Sequence, residues 1–368
     1  MKKDQFSNDK LFYYADRLMK VIDGNIVSPV VYELSLSGRC NCSCYYCCCQ
    51  NFQDDRMLDR QEIEKIAAEI AANNGEAVTI TGGGEPLMNP EFAYCIQELA
   101  FRNISVGVIT NGLLLEKEKT EAIARYASFC RISLDTVDEG QYRILRGIAL
   151  DRDSLRRELK KLVDRRGFFN SDLLIGAQIV YSSQTDEDVE QTILFCRECG
   201  LDFIQIRPVD NITGEQLVPK YEFYRSKRGF LDRMRTCYTT EHFSVIINEN
   251  KFEEYDAQSV GKKYRQCLGA NFTAAIGHDM QVYFCCSNIG NPELAIGDLK
   301  TDSLQRILSS SQRRDLINCP RREFCQQQCR NHKMNKILYE LTMLPRDQAE
   351  EMIREKQKEP RPIHCEFL

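Results

Sequence analysis

Short apolar runs and charged amphipathic stretches take turns along the first half of the chain. A charged segment from Asn8 to about Asp23 predicts a lead helix, and SPVVYELSLS (28–37) then reads as a buried strand. LDRQEIEKIAAEIAANN (58–74) puts Ile63, Ile66, Ala67 and Ile70 on one helical face behind an Asp59/Glu62 capping box, and AVTI (77–80) is the next strand. ISVGVIT (104–110), FCRISLD (129–135), LLIGAQIVY (173–181) and FIQIRPV (203–209) continue the series. Helices are predicted from near Glu116, over 153–166 and in TDEDVEQTILFCRECG (185–200). Six strands, each but the first preceded by a helix, predict parallel βα units from about residue 30 to 209.

Polar or glycine-rich residues recur just past the carboxyl ends of these strands: a run of cysteines, then GGGEP, TNG, SLD and RP. Parallel α/β barrels build their active sites at that end. Six repeats fall short of a closed eight-stranded barrel, so the predicted fold is α/β, a partial (β/α)6 TIM-like barrel. From Arg225 the alternation stops, and short strands and hairpins are expected, followed by helices at about 301–316 and 332–343. The expected division is a helical lead (1–29), the barrel (30–224) and a small C-terminal α+β domain (225–368).

Composition narrows the chemistry. A net charge of −5 gives no basic footprint for nucleic acid. The N-terminus lacks the apolar core of a signal peptide, and no run of about 18 uncharged apolar residues predicts a membrane span. A cytoplasmic protein without nucleic-acid or membrane partners is expected. Cysteine stands out, with 18 residues against four histidines. In a large chain without an export signal, that excess points to metal on thiolates, as iron–sulfur clusters or all-thiolate zinc.

RCNCSCYYCCCQNF (39–52) concentrates six of these thiols. The spacing C-x3-C-x2-C is met within it only by Cys40, Cys44 and Cys47, with Tyr46 before the last; Cys42, Cys48 and Cys49 are left over. A zinc knuckle needs only the two-residue spacing. Three thiolates on one loop can instead hold three irons of a [4Fe–4S] cube, with the fourth iron open. Following a first barrel strand, and with GGGEP after the second, this loop resembles the radical S-adenosylmethionine (SAM) enzymes, whose hallmark is C-x3-C-x2-aromatic-C.

The resemblance implies that Cys40, Cys44 and Cys47 hold the cluster and that Gly82, Gly83, Gly84 and Glu85 meet the SAM amino group. Tyr46, Asn111, Ser133, Gln178 and Arg207 are further candidates for cofactor contact, with Arg207 suited to an anionic group on cofactor or substrate. The C-terminal cysteines resemble the Twitch and SPASM auxiliary-cluster modules. They imply one more [4Fe–4S] cluster on Cys267, Cys285, Cys325 and Cys329, with Cys319 as the closest substitute. Leu316 stands where the two-cluster signature has a cysteine; Cys286 and Cys365 are the candidates to complete a second site, and structural zinc is the alternative. Cys130, Cys196 and Cys199 read as packing. Cys237, in a polar linker, is a candidate hydrogen-atom donor.

The activity so implied is reductive cleavage of SAM to methionine and a 5′-deoxyadenosyl radical, with an electron from flavodoxin or ferredoxin, and hydrogen abstraction from substrate. The auxiliary cluster would accept an electron or serve structure. A small polar substrate, of the sugar-nucleotide or aminosugar type, would be oxidised, epimerised or cleaved by elimination. The alternative is a ribosomal peptide that is crosslinked or epimerised. About 29 residues precede the first strand, too few for the leader-recognition domain of many peptide-modifying relatives. A non-catalytic scaffold would have no need of GGGEP beside a three-cysteine loop.

Overall fold

The structure is a computed structural model, and it describes residues 8–209, 221–249, 251–252, 264–325 and 329–368. The six apolar runs form β1 (Val31–Ser35), β2 (Ala77–Thr81), β3 (Ser105–Thr110), β4 (Ala127–Ser133), β5 (Leu174–Tyr181) and β6 (Phe203–Pro208). They pair in parallel in chain order. After the lead helix α1 (Ala15–Ile22), the crossovers carry α2 (Arg60–Ala72), α3 (Phe92–Phe101), α4 (Lys117–Tyr126), α5 (Glu139–Arg146), α6 (Arg152–Phe168) and α7 (Asp186–Glu198). The Asp59/Glu62 capping box starts α2 as the sequence predicts, and Thr185 with Asp188 makes a second one at α7.

The alternation runs one unit further than the hydrophobic pattern indicates. A helix α8 (Tyr221–Tyr238) leads to β7 (Ser244–Ile247), which pairs in parallel with β6. This strand is short and lies at the sheet edge, and only Val245 of its four residues is buried. Its apolar signal is correspondingly weak. Cys237 lies exposed in the last turn of α8 rather than in a linker.

Strand alternation turns Cys130 and Ile132, both fully buried, towards the helices, and Phe129, Arg131 and Ser133 into the barrel lumen. Two glycines shape the lower lumen. A Cβ on Gly107 would come within 2.3 Å of the Phe129 ring, and one on Gly176 within 2.2 Å of the Phe203 ring. The aromatic rings fill the space that these glycines leave. Phe367, from the C-terminal tail, stacks edge-on against Phe129 at 4.9 Å, and the buried Lys10 ammonium donates to the carbonyls of His364 (2.7 Å) and Phe367 (3.0 Å).

The C-terminal segment continues the sheet. β8 (Thr273–Ile276) pairs in parallel with the free side of β1, and the antiparallel strands β9 (Gln281–Tyr283) and β10 (Ala295–Asp298) follow. The described strands thus form one open sheet, ordered β10-β9-β8-β1-β2-β3-β4-β5-β6-β7. Helices at 304–308, 311–318 and 332–342 occupy the regions the sequence assigns to helix, and a further one spans 346–357. Arg330 pairs with Glu33 of β1, and the Glu69 carboxylate of α2 accepts the Leu304 N–H at 2.9 Å. Among the described residues, no helix is long and apolar enough to cross a membrane.

Substituting Gly176→Val tests the packing of the lower lumen. It should cost about 1–3 kcal/mol, read as a lower denaturant midpoint, and Phe203→Leu in the same chain should recover part of the loss.

Candidate active site and cluster sites

The cysteine loop leaves the carboxyl end of β1 and returns at α2, and its base is pinned from three sides. Ser37 and Met57 form an antiparallel bridge, with the Gly38 N–H on the Arg56 carbonyl at 2.8 Å. The fully buried Asn89 carboxamide donates to the carbonyls of Leu36 (2.8 Å) and Leu58 (3.0 Å). The third side is the glycine loop itself: the Gly84 N–H donates to the Ser37 carbonyl at 2.6 Å and the Glu85 N–H to the Arg39 carbonyl at 2.7 Å. A Cβ on Gly84 would lie 1.9 Å from the Arg39 carbonyl oxygen, so only glycine permits this approach.

Glu85, buried, ties the second strand end to the third. Its carboxylate accepts the Thr110 hydroxyl (2.5 Å), the Asn111 N–H (2.8 Å) and the Leu87 N–H (3.1 Å), while burial pushes its pKa up. Asn111 in turn donates to the Asn41 side chain at 2.6 Å and to the Cys42 sulfur at 3.4 Å. Gly83 meets a different neighbour. Its N–H donates to Ser35 Oγ (3.2 Å), which lies 3.0 Å from His278 Nδ1, and His278 Nε2 lies 3.1 Å from an Asp54 carboxylate oxygen. His278, fully buried, comes from the β8–β9 turn. The C-terminal hairpin therefore packs directly against the glycine loop.

On the far side of the loop lies a buried charge network. Arg146, at the end of α5, pairs with Asp135 through Nε at 2.7 Å, donates to Cys44 Sγ at 3.3 Å and reaches the Ser133 carbonyl. Tyr46 donates its hydroxyl to the same Asp135 carboxylate. Gly147 ends α5 at φ +71 and is packed so closely that a Cβ would meet Ser43 Cβ at 2.8 Å; the Ser43 N–H donates to the Arg146 carbonyl. The helix end is thereby docked on the cysteine loop.

The three spaced thiols differ in environment. A hydrogen bond from the Cys42 thiol lowers Cys40. The same donor, helped by Arg146, lowers Cys44 to about 6 despite burial. Cys47 is pushed up to about 12, chiefly by burial. Cys42 is buried among them, and its backbone N–H donates to Cys40 Sγ at 3.5 Å. Cys48 is exposed. No two cysteines among the described residues are joined as a disulfide. Among the described residues, no three Cys, His, Asp or Glu side chains close on a single metal ion. Three free thiols on one pinned loop, with a guanidinium beside Cys44 to offset thiolate charge, fit the donor set of an iron–sulfur cluster.

Gln178 and Arg207 lie in the lumen on β5 and β6. Arg207 Nε donates to Gln178 Oε1 at 3.3 Å, and Gln178 Nε2 to Gln205 Oε1 at 2.7 Å. Arg131 also donates to Gln205 Oε1, at 3.2 Å.

In the C-terminal segment, burial raises Cys267 to about 12, reinforced by the nearby thiols of Cys329, Cys285 and Cys325. These are the four sequence-predicted auxiliary ligands. A hydrogen bond from Cys286 lowers Cys285 to about 6. Asn335 donates to Cys267 Sγ at 3.6 Å and Asn288 to Cys285 Sγ at 3.8 Å. Cys319 is exposed at the end of the 311–318 helix, whereas Cys365 is buried with its thiol on the Lys10 carbonyl. A separate surface hollow is lined by Ile26, Asn271 and Arg313, but the Arg313 guanidinium is committed to the carbonyls of Leu308, Val27 and Ala270.

Residues 34–196 match the radical SAM superfamily, and residues 267–331 match SPASM, an iron–sulfur cluster-binding domain. The chain carries a radical SAM domain followed by a SPASM domain. The first binds a [4Fe–4S] cluster and SAM, and the second binds auxiliary iron–sulfur clusters. A probable GTP 3′,8-cyclase from Methanococcus vannielii is 25% identical over 184 residues, 49% of this chain and 59% of that relative. The matched stretch thus falls short of two-thirds of the relative's length. Streptococcus suis SuiB bound to its precursor peptide SuiA shares the fold at TM-score 0.66 and 17% identity, over 83% of this chain and 70% of that one. The anSMEcpe structure with SAM and a peptide follows at 0.57 and 14%, over 78% and 83%.

Asp135 closes the SLD stretch already marked at a strand end, whereas Arg146 and His278 are not among the candidates the sequence yields. The Asp135→Asn variant should be less stable by about 3 kcal/mol or more, because it leaves a buried guanidinium without its counter-charge. Denaturant titration measures this, and Asp135→Asn with Arg146→Gln should cost less than the two single changes added together.

Proposed function

We propose that this chain is a radical SAM enzyme that abstracts a hydrogen atom from a small polar substrate held in the barrel lumen. The observation behind the proposal is the polar lumen itself: Ser133, Gln178, Gln205 and Arg207 sit at the carboxyl ends of adjacent strands, beside the loop of Cys40, Cys44 and Cys47. When bound, the cluster and SAM supply reductive cleavage to methionine and a 5′-deoxyadenosyl radical, with the electron coming from a flavodoxin or ferredoxin. The chain's own part is placement. Cys40, Cys44 and Cys47 would hold the cluster, Arg146 offsets thiolate charge at Cys44, and the glycine loop, with Gly83 N–H already on Ser35 Oγ, would meet the amino group of SAM. Glu85 and Asn111 fix the glycine loop against the cysteine loop, and Tyr46 braces the latter through Asp135.

Alignment with probable GTP 3′,8-cyclases supports a small-molecule substrate. SuiB and anSMEcpe act as guides to fold alone at their level of identity. In this view the barrel runs from residue 30 through β7, which ends at Ile247, and the auxiliary domain follows it, with residues 1–29 as a lead. The auxiliary cluster sits on Cys267, Cys285, Cys325 and Cys329.

Anaerobically reconstituted protein with SAM and dithionite should release 5′-deoxyadenosine. Alanine at Cys40, Cys44 or Cys47 should abolish release while circular dichroism shows a folded chain; release by any of the three would overturn the ligand assignment. Cys48→Ala should release at the wild-type rate.

Iron analysis checks the auxiliary site. About eight irons per chain correspond to two [4Fe–4S] cubes, and the Cys40/Cys44/Cys47 triple variant should hold about four. About twelve would mean a second auxiliary cluster, and four with one zinc a structural site.

A further inference from the structure

We infer that Arg131, with Arg207 beside it, anchors an anionic group, phosphate or carboxylate, on the substrate inside the barrel. The inference deepens the function proposed above and rests on it. Arg131 lies on β4 one lumen-facing position below Ser133, roughly 7 Å deeper along the strand, in register with Gly176 of β5. It is therefore placed under the cysteine loop, where a bound substrate would present its upper end to the SAM site.

The electrostatics around Arg131 are one-sided. Its NH1 donates to Gln205 Oε1, Gln205 accepts from Gln178, and Gln178 accepts from Arg207. Two neutral carboxamides thus bridge two guanidinium groups. For Arg131 the Gln205 carboxamide oxygen offers a dipole but no counter-charge. Among the described residues Arg131 has no carboxylate within ion-pair distance, and its Nε is buried without a hydrogen-bond partner. Glu33, the acidic residue of β1, is engaged by Arg330. The buried arginines are treated differently: Arg146 faces Asp135, and Arg313 spends its donors on three carbonyls.

Burial, with the neighbouring Arg207 charge, pushes Arg131 down to about 10, so it remains a cation at neutral pH. A half-buried cation without a counter-charge is costly, and an arriving anion lowers that cost. The planar guanidinium fork matches the oxygens of a phosphate or carboxylate.

The test uses reconstituted holoenzyme with SAM present and titrates inorganic pyrophosphate, succinate and glucose by calorimetry. At least one anion should bind, and glucose should not. Which anion binds more tightly distinguishes phosphate from carboxylate. Arg131→Gln should weaken the anion at least about tenfold, Arg131→Lys by less, and the exposed Arg354→Gln not at all. Far-UV circular dichroism on each variant separates lost binding from lost fold, and Arg131→Lys keeps the comparison available if Arg131→Gln is misfolded. Wild-type protein that binds neither anion, or a folded Arg131→Gln that binds as wild type does, would overturn the anchor. SAM cleavage by the wild type is scored separately: anion binding through Arg131 without any cleavage would remove the proposed activity and leave the anchor standing.

Discussion

Two backbone hydrogen bonds hold the candidate site together: Gly84 N–H to the Ser37 carbonyl and Glu85 N–H to the Arg39 carbonyl. They lock the end of β2 to the start of the cysteine loop, and they exist only because residue 84 has no side chain. The rest of the arrangement depends on this approach. Glu85, once fixed, reaches Thr110 and Asn111 at the next strand end, and Asn111 reaches back to Asn41 and Cys42. Strand ends that are separate in sequence become one rigid platform, with the cysteines on its upper side and the lumen beneath.

The sequence was legible where periodicity or fixed spacing carried the information. Strand runs such as LLIGAQIVY are apolar at every position but Gln178 because both faces of β5 are buried, and they announce themselves. The thiol triad and the GGGEP turn are legible for a related reason, since a cube needs set spacings and a close backbone approach needs glycine. Residues that act through contact alone leave no such trace. Arg146 lies in a short helix after β4, with nothing in its surroundings to mark it until the fold sets it against Asp135 and Cys44. His278 lies more than 190 residues from Gly83, and only the pairing of β8 with β1 brings the two together. The run SVII is legible as a short strand, but its parallel place beside β6 is not, because a four-residue edge strand with one buried side chain carries too little pattern to set its partner.

The lumen is graded along its axis. Aromatic rings, fitted against Gly107 and Gly176, fill the lower part, and Phe367 of the tail closes on them. Above them the lining turns polar and cationic, and the thiol loop caps the top. Such a gradient orients an amphiphilic guest: it offers no polar partner at the bottom and strong electrostatic ones midway. The low-dielectric aromatic layer below makes those midway charges act more strongly than they would on the surface.

The lateral pairing of β8 with β1 has a consequence for how the molecule tolerates damage. The first strand of a parallel sheet ordinarily presents a row of unsatisfied N–H and C=O groups to any passing chain, a template for aggregation. Here Thr273–Ile276 occupies that row along Val31–Leu34. The C-terminal segment is thus a shield for the strand that leads into the thiol loop. Loosening it would do more than free an auxiliary cluster. It would expose an adhesive edge next to redox-sensitive sulfur, so oxidative injury and self-association would begin at the same place.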